Sequence, residues 1–93
     1  KLATERNRFI SELQKVPYLR TIPSQANYIL CEVLPPYTSK GMTVELLDTY
    51  NLFIKDCSHK DGFDGRQYVR IAVRDADDDN KLLSALKQLS IFN

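Results

Sequence analysis

The chain has 93 residues, 43% hydrophobic and 27% charged, enough for one small domain with one modest core. Thirteen basic and twelve acidic residues leave a net charge of +1, which gives no electrostatic footprint for nucleic acid or an anionic membrane. No apolar run approaches the roughly 18 residues that cross a bilayer, and two cysteines, Cys31 and Cys57, do not make a disulfide framework, so they read as free thiols in a reducing, cytoplasmic compartment.

The spacing of Leu2, Arg6, Phe9, Ile10, Leu13 and Val16 predicts an amphipathic helix over residues 1–15, with Phe9, Ile10 and Leu13 facing inward. That amphipathic pattern is not the continuous apolar core of a signal peptide. No capping residue precedes the helix, which suggests a chain cut from something longer. Pro17 ends the helix, and residues 17–26 suit a turn and a short extended piece. Asn27 to Val33 reads as a strand, stopped by Pro35 and Pro36, with a loop over residues 34–41. Thr43 is the expected N-cap of a helix over residues 44–50, with Leu46, Leu47 and Tyr50 as its apolar face. Asn51 suits a left-handed closing position.

A short strand is expected over residues 52–55 and a second over 67–74. The polar, glycine-bearing segment between them, 56–66, is long for a strand–strand link. The second strand alternates strictly: Val69, Ile71 and Val73 take one face, and Tyr68, Arg70, Ala72 and Arg74 the other. Asp75 then reads as an N-cap with Asp78 three positions on. Leu82, Leu83, Leu86 and Leu89 complete a last amphipathic helix, after which the chain stops as at a natural terminus. The predicted order is helix, strand, helix, strand, strand, helix. That is a single α+β domain over residues 1–93, with a small, mostly antiparallel sheet and helices packed on one face.

Three clusters carry candidate chemistry. Cys57 and His59 form a Cys-x-His pair, but zinc normally takes four ligands, and nucleophilic catalysis lacks a third orienting group. A solvated loop is the simpler reading. Asp77, Asp78 and Asp79 sit in the first turn of the last helix, where the helix dipole favours negative charge without any metal. Arg70, rigid on its strand, is a suitable clamp for a carboxylate or phosphate. If the strands on either side of the long loop pair as a hairpin, Lys55 can approach the same region. Periodicity alone favours ordinary surface charges for both. Asn27 is either turn chemistry or an amide aimed into a cleft.

Four strings in register resemble one family. Pro23-Ser24-Gln25-Ala26-Asn27-Tyr28 resembles the P-S-x-A-N-[FY] element of class I/II, fold-type I pyridoxal-phosphate-dependent aminotransferases. Leu52-Phe53-Ile54-Lys55-Asp56-Cys57 resembles their [IL]-x-[IV]-R-[DQ]-C strand. Tyr68-Val69-Arg70-Ile71-Ala72-Val73 resembles Y-[IVL]-R-[IV]-[AT]-V. The run from Asp79 to Leu86 resembles their closing E-N-x-x-L-[LI]-x-A-L helix. The likeness is nearest to the histidinol-phosphate aminotransferase and threonine-phosphate decarboxylase branch.

The resemblance implies the C-terminal small domain of a longer enzyme that binds pyridoxal 5'-phosphate in its larger domain. The Schiff-base lysine, the partner of the pyridine nitrogen and most of the phosphate cup are implied to lie there. These residues then hold no catalytic, cofactor-binding or metal-binding group, and the fragment alone is expected to be inactive. Substrate-binding roles are implied for Arg70 on the α-carboxylate, Lys55 near a distal or phosphate group, and Asn27 on the substrate side. Lys55 stands where the family commonly has arginine. The resemblance further implies a small amino-acid or amino-acid-phosphate substrate and a homodimer. Other readings are a threonine-phosphate-type decarboxylase and a free-standing ligand-binding module. An RNA-binding domain would need paired aromatics on the Arg70 strand, which are missing.

Overall fold

A computed structural model describes residues 2–22, 27–57 and 66–89. The elements in chain order are α1 (Leu2–Leu13), β1 (Leu19–Ile22), β2 (Tyr28–Val33), α2 (Ser39–Tyr50), β3 (Lys55–Asp56), β4 (Tyr68–Ala72) and α3 (Ala76–Gln88). The four strands form one sheet in the order β1-β2-β4-β3, with every neighbouring pair antiparallel. Both β2 and β3 run antiparallel to β4, so they are parallel to each other. Parallel strands need a long crossover, and α2 provides it. Between them β4 completes the sheet as a central strand.

The α+β class and the one-sided helical layer agree with the sequence pattern. Ile29, Cys31, Val33, Val69 and Ile71 point to one face and join Phe9, Leu13, Met42, Leu46, Leu82, Leu83 and Leu86 in a single core. All three helices therefore contribute to the covered face. Fully burying a leucine- or phenylalanine-sized side chain stabilises by about 1.5–3 kcal/mol, so this face carries most of the driving force.

Several boundaries differ from the sequence reading. The short extended piece after Pro17 is a strand, β1, paired with β2 from Leu19↔Val33 to Ile22↔Leu30. The helix expected from Val44 starts five residues earlier, at Ser39. Its N-cap is Thr38, not Thr43: the Thr38 hydroxyl accepts the Gly41 N–H at 3.0 Å. Gly41 reads as loop chemistry in the sequence, yet a helix tolerates it at a cost of about 1 kcal/mol relative to alanine. Here the Gln67 side chain offsets that cost, its Oε1 accepting both Ser39 N–H at 2.6 Å and Ser39 Oγ–H at 3.1 Å. The strand expected over 52–55 is only Lys55–Asp56, because β4 pairs with nothing earlier on that side. Helix α1 ends at Leu13 and β4 spans Tyr68–Ala72, each shorter than the expected 1–15 and 67–74, while Asn51 and Asp75 stand where expected. Asn51 closes α2 at φ 56° and ψ 37°, in the left-handed region that asparagine tolerates. Asp75 caps α3, its Oδ1 accepting the Asp78 N–H at 2.8 Å.

Among the described residues no helix is long and apolar enough to cross a membrane.

Candidate functional site

Among the described residues the sheet's second face carries no helix layer. Tyr28, Leu30, Glu32 and Arg70 are half-buried there, and Ala72 and Lys55 are exposed. Arg70 occupies its middle. In register it lies opposite Leu30 of β2 on one side and opposite Lys55 of β3 on the other. The hairpin that brings Lys55 beside Arg70 is therefore real. Like charges directly opposite on a sheet repel, and among the described residues neither cation makes an ion pair.

Arg70 does have one neighbour. Its guanidinium carbon lies 4.8 Å from the centre of the Tyr28 ring. Tyr28 pairs with Ala72, so it is the diagonal neighbour of Arg70 on the same face. Glu32 occupies the other diagonal. It sits opposite Arg20 of β1, and Arg20 takes it by Nε at 2.7 Å and Nη2 at 2.6 Å.

Asn27 sits one residue before β2 and is exposed. Its carbonyl accepts the Val73 N–H at 3.2 Å, which extends the β2–β4 ladder by one step. The register thus joins Arg70 and Lys55 directly and leaves Asn27 at the end of the sheet. Beside Lys55 a groove of about 220 Å³ is lined by Val44, Leu47 and Phe53. Among the described residues these are the exposed large apolar ones, with Phe53 at 78% exposure. A larger groove of about 480 Å³, lined by Tyr18, Leu34, Pro35, Tyr37, Leu86 and others, includes neither cation. Its lining is mostly apolar, with Lys15 and Lys87 as its charged members.

The other candidates fare differently. Cys57 is buried rather than solvated. Its N–H donates to the Tyr68 carbonyl at 2.9 Å, so the β3–β4 pairing reaches one residue beyond the strand. His59 lies outside the described residues, as does the Pro23–Ala26 part of the first string. Among the described residues no group of three or more histidine, cysteine or acidic side chains is placed to hold a metal. Burial in the core pushes the Cys31 thiol up to about 12, the state of a packing residue rather than a nucleophile.

The acidic triplet divides. Asp78 pairs with Arg74 at 3.0 Å in the open. Asp79 is buried, with its Oδ1 accepting the Arg74 N–H at 3.0 Å and its Oδ2 without a hydrogen-bond donor. Burial, and then the neighbouring Glu5 carboxyl, raise its pKa to about 7. Glu5 itself is held down to about 2, chiefly by its two hydrogen bonds from Arg8 at 2.9 and 2.8 Å. The dipole reading explains the triplet's place in the first turn but not the burial of Asp79. The sequence signal was the heptad-like position of Asp79 with Leu82, Leu83 and Leu86.

No protein-family model matches the chain. Curated relatives do. The chain is 36% identical over 77 residues to a histidinol-phosphate aminotransferase of Methanococcus aeolicus, covering 83% of this chain and 20% of that protein. It is 34% identical over 90 residues to a threonine-phosphate decarboxylase of Salmonella typhimurium, covering 95% of this chain and 23% of that protein. The solved histidinol-phosphate aminotransferase of Clostridium acetobutylicum superposes with a TM-score of 0.83 at 32% identity, over 92% of this chain and 25% of that one. The chain thus spans about a fifth of the length of the curated relatives it matches. Its homologues and structural neighbours are histidinol-phosphate aminotransferases and threonine-phosphate decarboxylases, matched as a small domain of a fold-type I pyridoxal-phosphate enzyme would be.

Proposed function

We propose that these 93 residues are the C-terminal small domain of a longer pyridoxal-phosphate-dependent aminotransferase acting on an amino acid or an amino-acid phosphate. The observation that carries this reading is the central position of Arg70 opposite Lys55 on the sheet's open face, with no ion pair to either among the described residues. Repulsion between paired cations is worth keeping where an anion binds between them.

The open face fits the substrate and not the cofactor. Every described lysine is exposed, whereas a Schiff-base lysine needs the lowered pKa of a desolvated site. The cofactor, held by the larger domain, supplies the electron sink. The work of this domain is positioning. The Arg70 guanidinium takes the α-carboxylate by two parallel N–H bonds and fixes the amino acid's orientation. Lys55 meets a distal or phosphate group as a point charge, without the planar fork of arginine. Asn27, at the sheet's end, is the third residue assigned to the substrate on this reading. The full-length enzyme is a homodimer of the cytoplasm, where Cys31 and Cys57 remain thiols.

A second reading is decarboxylation, favoured by the 34% identity to the threonine-phosphate decarboxylase. The two separate by product: released carbon dioxide from an amino-acid phosphate, or an oxo acid from the amino donor. The clamp itself is tested by Arg70→Ala in the full-length protein. Amino-acid turnover is expected to collapse while cofactor absorbance is retained. Unchanged turnover removes Arg70 from the site.

A further inference from the structure

Arginine can be held in two ways. An acid holds it by its edge and uses up the N–H donors. An aromatic ring holds it by its face and leaves all five donors in the plane. Arg20 is held the first way, by Glu32. Arg70 is held the second way, 4.8 Å above Tyr28.

The register explains the choice. Arg70 has two diagonal neighbours on β2, Tyr28 and Glu32, on either side of Leu30. Diagonal neighbours on one face are within reach of long side chains. Glu32 already belongs to Arg20, directly across from it on β1. Opposite Tyr28 stands Ala72, whose single methyl group leaves space over the sheet for the ring.

We propose that Tyr28 is a positioning residue for Arg70: its ring carries the guanidinium by the face and so keeps the donor edge open and aimed for a substrate carboxylate. The inference rests on the reading of Arg70 as the carboxylate clamp. Tyr28 itself touches no reacting atom. Its hydroxyl is not required, only the π-face.

The test uses the full-length, cofactor-loaded enzyme and two ligands that differ only in the α-carboxylate, O-phospho-L-serine and O-phosphoethanolamine. Calorimetric dissociation constants give a ratio that reports the carboxylate contact alone. A general loss of packing weakens both ligands together and leaves the ratio in place. In Tyr28→Leu the preference for phosphoserine is expected to fall about tenfold, near the upper range for a partly desolvated cation–π pair. Tyr28→Phe should keep it within about twofold, because the ring remains. Arg70→Ala should abolish it. If Arg70→Ala abolishes the preference but Tyr28→Leu leaves it intact, the role of Tyr28 is overturned and the clamp stands. A native enzyme with no preference, or one whose preference survives Arg70→Ala, overturns the clamp itself.

Discussion

Two pairs of like charges lie in this small domain, and they are handled in opposite ways. Glu5 of α1 and Asp79 of α3 are two carboxyls brought together between helices. The protein settles that conflict with its own groups: Arg8 grips Glu5, the Arg74 amide serves Asp79, and burial leaves Asp79 holding its proton to about pH 7. Lys55 and Arg70 are two cations brought together on the open face. Nothing charged among the described residues answers them. A repulsion resolved internally is a matter of folding. On the proposed reading, a repulsion left standing on a rigid strand serves an anion from outside.

The acid pair gives the largest expected effect. The pKa of Asp79 is higher folded, about 7, than its ordinary 3.8. The folded state therefore binds that proton more tightly. Its contribution to stability is fullest below about pH 4, falls as pH rises toward 7, and levels off above it. Glu5 has the opposite sign, stabilising above its ordinary 4.5 and losing that contribution as pH drops toward 2. Asp79→Asn keeps the acceptor for the Arg74 amide and a donor toward Glu5 without the charge. Denaturant titrations should find it close to the native protein at pH 4.5 and more stable by up to ~4 kcal/mol at pH 8. A difference independent of pH would show that Asp79 is not the titrating group.

On the cation side, Arg70→Ala should cost on the order of 10²-fold in kcat/KM for the amino acid, with little change in the melting temperature. A large fall in melting temperature with catalysis spared would make Arg70 structural and erase the contrast between the two pairs.

Much of this was legible in the sequence, for identifiable reasons. The period of two around Arg70 and the period of 3.6 from Leu82 to Leu89 are geometric, and the structure follows them. Helix α2 was misread at its start because Gly41 is poor helix chemistry locally. What anchors that start is Gln67, 28 residues away in the chain. Local signals cannot report a distant cap. The same holds at the site. Lys55 beside Arg70 followed from assuming a hairpin, but the Tyr28 contact and the diversion of Glu32 to Arg20 depend on the β1-β2-β4 register, which periodicity leaves open. Cys57 reads as part of a solvated loop and Asp79 as one of three dipole-favoured first-turn acids, yet both are buried in the folded domain.

The register also predicts how the open face can be broken without touching Arg70. Arg20→Ala removes the partner of Glu32, whose carboxylate is then free to reach the diagonal Arg70. An internal acid now competes with the substrate. Carboxylate binding should weaken about fivefold, roughly the 1 kcal/mol of an exposed cross-strand ion pair. Arg20→Ala combined with Glu32→Gln should restore it. If the double variant is as weak as the single one, Arg20 acts on the site through packing and not by holding Glu32 away.

The smallest effect sharpens the comparison most. Lys55→Gln removes half of the unanswered charge. If Lys55 is present for stability, its loss should destabilise the protein. If the pair is held against repulsion for the sake of an anion, the ligand-free protein should gain up to about 0.5 kcal/mol, less at high salt, where the repulsion is screened. Binding of O-phospho-L-serine should weaken at the same time. Parallel denaturant titrations at two ionic strengths and calorimetry with that ligand read both quantities. Only stability and binding moving in opposite directions fits a cation pair kept for a ligand. A Lys55→Gln protein that loses stability and binds as before would place Lys55 with Glu5 and Asp79, among the charges the fold uses for itself.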